Sequence, residues 1–411
     1  MNIIVQKFGG TSLATGVARE AAVSRVLAAR DSGQTPVVVA SAMGRRGDAY
    51  ATDSLIDLLG GHVCRREQDL VMACGEVIAA GVLASLLLRH LNKVTVLTGW
   101  QAGIITDDRH GDARILDVQA GKLQQLLADG QTVVVAGFQG MSEQGEITTL
   151  GRGGSDTTAV ALGVALGASL VEIYTDVDGV LTANPRLVPE AMLVEQLSYA
   201  DMLQLATAGA KVLHQRAVEL AMQHGVRLVV RHTSGDRSGT VICRTKGYEQ
   251  RRTRPTGIAC KSDLVQVALH PTDNSAHLLH RLSSAGVSAA LVDLACERQR
   301  FILPANQLQL AQTTLGDSCS QLTVRQDCAL ITVVGVNPWQ RAQTLLTVSH
   351  ALAEVGADIL QTSDTEQSIS VLIDQTSLSA AATAMHQAFG LAGNGSSRPH
   401  PRAGEAQVTI V

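Results

Sequence analysis

Short apolar runs alternate with longer amphipathic stretches through about the first 245 residues. The apolar runs are rich in β-branched residues and predict strands, whereas stretches such as Ala18–Arg30 and Glu76–His90 predict helices. The predicted strands are Ile3–Val5, Val37–Ala40, Val94–Leu97, Val133–Ala136, Val171–Tyr174 and Arg227–Arg231. This alternation favours an α/β domain over residues 1–245, with a mostly parallel sheet between helices. Ligands in such sheets bind at the carboxyl ends of the strands.

The pattern changes after residues 246–257, a basic and polar stretch that predicts a linker. Beyond it, Leu282–Leu303 aligns without gaps on Leu352–Ile373, at an offset of 70 residues. Each copy is predicted to fold as strand, helix, strand, strand and helix. Chance similarity of two small α+β units is the alternative.

The repeat predicts two α+β domains, at residues 258–326 and 327–391. The chain then continues through a polar stretch, and residues 405–411 could form a short strand that completes the first of these domains.

Composition narrows the class of protein. With 411 residues, 45% of them hydrophobic and 17% charged, the chain is long enough for two or three globular domains. A net charge of −4 gives no sign of a nucleic-acid or membrane partner, and no apolar run of transmembrane length is expected. The seven cysteines include no C-x-x-C pair, which favours reduced thiols in the cytoplasm over disulfides or a zinc site.

The segment Lys7–Ser12 follows the first predicted strand and combines a lysine, two glycines and two hydroxyls. Glycines let backbone N–H groups approach an anion, and a helix N-terminus favours negative charge. With the charge of Lys7, this segment suits a polyphosphate. It is not a Walker loop, because the lysine precedes the glycines. An ordinary strand-to-helix turn is the alternative.

The segment Thr148–Thr158 precedes a predicted helix and contains three glycines, Arg152 and Asp156. Ser155 or Asp156 could simply cap that helix. Capping does not explain the glycines or the arginine, whose planar fork suits bidentate binding of a carboxylate or phosphate.

Weaker signals lie elsewhere. Tyr174–Leu181 contains Asp-x-Asp-Gly, but the other ligands of a calcium loop are missing. Gly209–Val212 supplies another lysine. The segments Arg66–Leu70 and Cys74–Glu76 are placed at the start of a helix, where Glu76 could be only a partner of the helix dipole.

The motifs KFGGTS, VVAGFQG, TTLGRGGSDTT, YTDVDGV and GAKV occur in the order typical of amino-acid kinases, and the chain resembles an aspartate kinase of that family. Met43–Leu55 and REQDL…CGE most resemble the diaminopimelate-sensitive type of Gram-positive bacteria. The resemblance covers Met1–Ile242 and extends through two ACT-like domains to Leu391. It implies the amino-acid kinase fold and the conversion of ATP and L-aspartate to ADP and 4-phospho-L-aspartate, the first step toward lysine, threonine and methionine.

The resemblance also implies residue roles. The implied catalytic residues are Lys7, Asp156 and Ser41. The implied substrate-binding residues are Thr52, Glu76, Arg152, Gly153, Gly154 and Ser155, with Glu76 on the substrate ammonium and Arg152 on its α-carboxylate. The implied ATP-binding residues are Lys7, Phe8, Gly9, Gly10, Thr175, Asp176, Val180, Pro185, Arg186, Lys211 and Val212. Mg²⁺ is expected with ATP, and no protein residue is assigned as a metal ligand.

The reaction needs little covalent chemistry from the protein. The nucleophile is the β-carboxylate of aspartate, which is ionised at neutral pH because its reference pKa is about 3.9. No general base is needed, so catalysis consists mostly of positioning and charge neutralisation by Lys7 and Mg²⁺.

Some positions depart from the family pattern. Asn184 replaces the usual aspartate, and the loops His270–Ser275 and Asn337–Gln340 lack the usual Pro-Gly. Ile359–Asp364 keeps the polar run found near the effector. The ACT-like half is expected either to bind lysine, threonine or diaminopimelate in a homodimer or larger assembly, or to serve mainly in dimerisation. Two alternatives to an aspartate kinase are open. One is a kinase of another acidic amino acid, because the insertion at residues 44–51 touches the substrate side, and the other is a non-catalytic amino-acid sensor.

Overall fold

The computed structural model describes residues 1–61, 63–210, 212–245, 253–269, 275–293, 299–316 and 322–392. These residues form two compact units. The first comprises the described residues up to Val180, together with residues 193–206 and 212–245. The second comprises Leu181–Met192, Thr207–Ala210 and the described residues from 253 onward.

The first unit contains strands and helices in alternation. Its strands are β1 (Ile3–Phe8), β2 (Thr35–Ala40), β3 (Val94–Leu97), β4 (Ile104–Thr106), β5 (Ile115–Val118), β6 (Thr132–Ala136), β7 (Gln139–Ser142), β8 (Ile147–Thr149), β9 (Leu170–Thr175), β10 (Gln196–Ser198), β11 (Leu228–His232) and β12 (Thr240–Cys243). Its helices are α1 (Gly10–Ala14), α2 (Gly16–Asp31), α3 (Thr52–Asp57), α4 (Arg65–Leu87), α5 (Gly121–Ala128), α6 (Gly154–Ala165), α7 (Tyr199–Thr207) and α8 (Gln215–His224).

The large sheet has the order β10-β12-β11-β9-β1-β2-β6-β3, and its pairs are parallel except β11 with β12. Strand β1 lies between β9 and β2, and Phe8 at its end pairs with Ala40 and with Tyr174. Ala40 pairs in turn with Ala136 at the end of β6. The carboxyl ends of β9, β1, β2 and β6 therefore meet at one edge of the sheet, which we call the ligand edge.

The first strand is longer than its apolar run. The predicted Ile3–Val5 extends to Phe8 because Gln6 and Lys7 continue the ladders with β2 and β9, although Lys7 is polar. Lys7 and Phe8 are therefore strand residues, and the turn to α1 consists of Gly9.

The prediction that Glu76 stands near the start of a helix is wrong. Helix α4 begins at Arg65, so Glu76 is its twelfth residue. A glycine often marks a helix boundary, but Gly75 is internal. A Cβ there would approach the Cβ of Ala42 to 2.9 Å and the carbonyl of Tyr50 to 3.1 Å, so close packing explains the glycine.

A second, small sheet was not expected from the sequence. It has the order β5-β4-β7-β8 and is built from strands of three or four residues. Runs this short carry too little alternation to predict a strand. The small sheet leads directly into the glycine-rich segment that precedes α6.

Helix α4 also changes the expectation about membranes. It is long and apolar enough to span one by length and composition alone, and half of its most apolar stretch is buried. The buried helix of a protein core passes the same test, and α4 carries Asp69 and Glu76 among its buried residues. The helix is therefore weak evidence for a membrane span.

The second unit contains two successive series of strand, helix, strand, strand and helix, as predicted. The first series is β13 (Gly257–Leu269), α9 (Ser275–Ser284), β14 (Ala290–Asp293), β15 (Gln299–Pro304) and α10 (Leu308–Leu315). The second is β16 (Leu322–Val334), α11 (Arg341–Glu354), β17 (Gln361–Asp364), β18 (Ser368–Asp374) and α12 (Leu378–Ala388). Short 3₁₀ turns occupy Ala305–Gln307, Pro338–Gln340 and Gln375–Ser377.

Both series share one sheet, with the order β14-β15-β13-β16-β18-β17. The long strands β13 and β16 pair antiparallel at its centre, and β16 crosses the limit expected between residues 326 and 327. The expected linker lies mostly outside the described residues, as does the strand expected at 405–411.

The segment Leu181–Met192 packs into the second unit. The carbonyl of Thr182 accepts a hydrogen bond from the N–H of Ile258 (2.7 Å), and the Thr182 hydroxyl lies 2.9 Å from Nε2 of the buried His386. Its apolar residues Ala183, Val188 and Ala191 join the core of that unit. This segment carries Pro185 and Arg186, two of the residues implied in ATP binding.

Candidate active site

Backbone hydrogen bonds continue past the strands at the ligand edge. The N–H of Ser41 donates to the Phe8 carbonyl (3.1 Å), and the N–H of Gly9 donates to the Tyr174 carbonyl (3.1 Å). The ring of Phe8 stacks on that of Tyr174 with centroids 4.8 Å apart. The segments that follow β1, β2 and β9 are therefore fixed close to one another.

Lys7 and Asp156 form an ion pair at this edge. The Lys7 Nζ lies 2.6 Å from the Asp156 Oδ1, and the side chains are only 12% and 11% exposed. Asp156 lies in the first turn of α6, where the partial positive charge of the helix favours an anion. The two glycine-rich segments singled out in the sequence are thus brought together.

The first glycine-rich segment packs tightly on the loop after β2. A Cβ at Gly10 would lie 2.6 Å from the Gly44 carbonyl oxygen and 2.8 Å from that of Ala42. The Gly44 N–H donates to the Gly10 carbonyl at 2.9 Å. Gly10 is therefore required by this close approach of two backbones.

The second segment turns into α6 through Gly153, which has a φ of +69°. A Cβ at that position would come within 2.2 Å of the His214 ring, so a larger residue fits neither the backbone conformation nor the space. Arg216, two residues after His214, donates from Nη1 to the Leu150 carbonyl at 3.1 Å. Helix α8 thereby supports the turn from outside.

Glu76 is a buried carboxyl group beside this edge. It is 2% exposed; its Oε1 accepts a hydrogen bond from the Ala42 N–H (3.0 Å), while its Oε2 has no hydrogen-bond partner. Burial raises the pKa of the Glu76 carboxyl from 4.5 to about 8, although the Ala42 N–H and the charge of Lys7 act in the opposite direction. An unpartnered carboxylate oxygen in such surroundings suits a cationic ligand.

This pKa predicts a pH-dependent stability difference in the ligand-free protein. The folded-state pKa lies above the unfolded value, so the folded protein keeps a proton that the unfolded chain releases, and stability falls as pH rises from 4.5 toward 8. Glu76→Gln removes that loss. We expect the Tm of this variant to be about 5 °C higher than that of wild type near pH 8.5, and nearly equal to it near pH 5.

Thermal melts at the two pH values measure this difference. Glu67→Gln is the matched control, because Glu67 lies on the same helix and is paired with Arg66 near the surface. A Tm difference between Glu76→Gln and wild type that is equal at both pH values would contradict the assigned pKa.

The remaining residues implied in substrate binding lie at the start of α6, except Thr52. Gly154 and Ser155 are buried in its first turn, and Arg152 is exposed just before it. Thr52 begins α3 and is half-buried. The structure therefore leaves Arg152 free to reach a ligand.

The residues implied in ATP binding are only partly brought together. The Thr175 hydroxyl donates to Asp176 Oδ1 (3.1 Å), and the other oxygen of Asp176 lies 2.5 Å from Arg45. Val180 donates its N–H to the Thr240 hydroxyl at 2.8 Å. The structure describes Val212 as half-buried, whereas Lys211 lies outside the described residues.

Pro185 and Arg186 belong to the second unit, as shown above. The Arg186 N–H donates to the Asn184 Oδ1 at 3.0 Å. An aspartate at this position could accept the same hydrogen bond, so the departure at Asn184 preserves the turn.

Two residues with clear structural roles were missed in the sequence. Asp69 is fully buried and accepts hydrogen bonds from Thr149 and Gly111. His214 has its ring against Gly153. Asp69 lies within the motif Arg66–Leu70, but the misplaced start of α4 concealed that it shares a buried helix with Glu76.

Comparison with known proteins defines the class first. A model of the amino acid kinase family matches residues 2–232, and a model of the ACT domain matches residues 323–387. The chain is therefore an amino acid kinase with an ACT region after its kinase domain.

The relatives identify the member of that class. Aspartokinase 1 of Bacillus subtilis is 38% identical over 402 residues, which cover 95% of this chain and 100% of that protein. The aspartokinase of Geobacillus stearothermophilus is 37% identical over 409 residues, covering 95% and 98%. The chain belongs to the aspartokinases, which use ATP to phosphorylate the side-chain carboxyl group of aspartate.

The fold agrees with that assignment. The crystal structure of E. coli aspartokinase III in complex with aspartate and ADP (R-state) superposes with a TM-score of 0.77 at 22% identity and covers 94% of this chain and 100% of that chain. The predicted family, fold class and enzymatic activity are confirmed.

Proposed function

We propose that the ligand edge of the first unit is where this chain transfers the γ-phosphoryl group of ATP to the β-carboxylate of L-aspartate. The observation that carries this proposal is the buried pair of Lys7 and Asp156, which joins two glycine-rich segments next to Glu76. The product is 4-phospho-L-aspartate, the starting point for lysine, threonine and methionine.

The phosphate side of the site consists of Lys7, Phe8, Gly9, Gly10 and Ser41. Lys7 neutralises charge on the transferring group, and the two glycines allow the backbone to approach the phosphates closely. Asp156 holds the ammonium of Lys7 in place through the 2.6 Å contact. Its role is orientation, because an ionised carboxylate nucleophile needs no base.

The substrate side consists of Glu76 and Arg152, with Thr52, Gly153, Gly154 and Ser155 around them. The unpartnered Oε2 of Glu76 accepts the substrate ammonium, whose positive charge favours the ionised form of that buried carboxyl. The fork of Arg152 binds the α-carboxylate. Together they leave the β-carboxylate directed at the phosphate side.

The same proposal includes nucleotide binding at the ligand edge by Thr175, Asp176, Val180, Lys211 and Val212. Thr175 and Asp176 support it, because Thr175 ends β9 beside β1 at the ligand edge and Asp176 follows it. For Pro185 and Arg186, which lie in the second unit, nucleotide binding is proposed from the motifs alone. The diaminopimelate-sensitive subtype is likewise proposed from the motifs alone.

Mg²⁺ fits the site as a partner of the nucleotide. The described residues contain no cluster of three or more metal-ligating side chains. Mg²⁺ usually takes one or two carboxylates together with substrate phosphates and waters. Asp156, beside its contact with Lys7, would orient the hydration shell of the ion, and the ion would neutralise phosphate charge when bound.

An assay of ADP release with Mg-ATP tests the proposal. We expect release with L-aspartate, and at most a small fraction of that rate with L-glutamate or N-acetylglutamate. Glu76 and Arg152 would hold the groups on the α-carbon, so the extra methylene of glutamate misplaces its side-chain carboxylate, and N-acetylglutamate also lacks the ammonium. Preference for another acid would favour a related acid kinase. Absence of release with every acid would favour a non-catalytic sensor.

The ACT region is proposed to bind lysine, threonine or diaminopimelate in a homodimer or larger assembly. The polar strand β17 and Trp339, which is 90% exposed just before α11, support a ligand or a partner there, since aromatic residues are enriched at interfaces. The loop at residues 270–274 lies outside the described residues. Calorimetric titration with the three amino acids separates effector binding from a purely dimerising role.

A cytoplasmic location is proposed as well. It rests on the expected reduced state of the thiols, and the cysteines of the described residues are free: Cys64, Cys74, Cys243, Cys260 and Cys328.

A further inference from the structure

Asp69 is a buried carboxylate that the proposed reaction does not use. It is 0% exposed on α4. Its Oδ2 accepts from the N–H of Thr149 (3.1 Å) and lies 2.9 Å from Nδ1 of His110. The Gly111 N–H lies 3.0 Å from both oxygens, and the Thr149 hydroxyl donates to Oδ1 at 2.5 Å. The carboxylate thus collects donors from two separate segments.

Both segments adjoin the turn that carries Arg152. Thr149 ends β8, three residues before Arg152, and its carbonyl accepts from the Ala113 N–H at 2.9 Å. A Cβ on Gly151 would lie 3.1 Å from the Gly111 carbonyl oxygen, so the segment 110–113 also packs closely against the turn. Asp69 therefore fixes the base of this turn at two points.

Asp69 and Glu76 stand seven residues apart on the same helix, which places them on one face and about 10 Å apart along its axis. One rigid element thereby holds the proposed ammonium site directly and the proposed carboxylate site through Thr149. We infer that Asp69 is a positioning residue: it holds the turn that carries Arg152 at the distance from Glu76 that the α-carboxylate and the ammonium of one amino acid require. The inference rests on the proposed roles of those two residues.

Steady-state kinetics on the full chain tests this. We expect Asp69→Asn and Thr149→Val to raise the KM for aspartate by at least about tenfold, because a small displacement of a binding group costs large factors. The KM for ATP should stay within about twofold, since Lys7 and its glycines are held by β1 and not through Asp69.

Thr149→Ser is the conservative rescue, because it keeps the hydroxyl donor that Thr149→Val lacks, and it should restore the aspartate KM. Glu67→Gln is the control for a lost carboxylate on α4. If Asp69→Asn does not fold, the two Thr149 variants still test the positioning role of Asp69. An unchanged aspartate KM in Thr149→Val, or an equal rise in the ATP KM, overturns the inference.

Arg152→Ala, measured in parallel, separates this inference from the proposed function. A raised aspartate KM in Arg152→Ala with none in the Asp69 and Thr149 variants refutes the positioning role alone. An unchanged aspartate KM in Arg152→Ala refutes the proposed carboxylate site and the inference together.

Discussion

Replacing Lys7 with alanine is expected to lower kcat by at least about a hundredfold while the fold is retained. The Lys7 ammonium is held 2.6 Å from Asp156 at the end of a central strand, so it meets the phosphate without rearrangement. A positive group already held in position stabilises the negative charge of the transition state more than a group that must first reorganise in water. Initial rates of ADP release, with both substrates saturating, measure the change.

Lys93→Ala is the matched control, because Lys93 is exposed and donates only to the Asp129 carbonyl at 3.0 Å. The Lys7 variant leaves Asp156 without its ion-pair partner, so a thermal melt must accompany the kinetics. Near-normal turnover of a folded Lys7→Ala protein would remove Lys7 from the catalytic residues.

Replacing Arg152 with alanine is expected to raise the KM for aspartate roughly 10- to 100-fold, the range for a lost charge-assisted hydrogen bond. The ATP KM should not change. Arg152 is exposed and precedes α6, so its removal should not alter the Tm. The KM values for both substrates and a thermal melt test the three parts of this prediction.

Arg114→Ala serves as the control, since Arg114 is also exposed and lies on the neighbouring segment. If Arg152→Ala weakened both substrates equally, Arg152 would have a general electrostatic role instead of binding the α-carboxylate.

The sequence was informative wherever a residue type has a narrow physical use. Gly10 and Gly153 could be singled out because only glycine permits such close approach or a positive φ, and both are needed at the ligand edge. The β-branched runs predicted the central strands because strands buried on both faces are almost continuously apolar.

The sequence was uninformative where tertiary packing decides. Gly75 resembled a helix boundary but is internal, so the length of α4 and the placement of Glu76 on it were hidden. The role of Asp69 depends on Thr149, which is 80 residues away and is brought close only by the small sheet. The elevated pKa of Glu76 follows from burial, which no local pattern encodes.

The placement of Leu181–Met192 has a consequence for truncation. Because this segment packs in the second unit while the chain before and after it belongs to the first, no single cut yields a self-contained kinase. A fragment ending near residue 245 would expose Ala183, Val188 and Ala191 to water, since their packing partners include Ile258 and Met385. The two units are modular in space but interleaved in sequence, so any exchange of regulatory halves between relatives must carry this segment along.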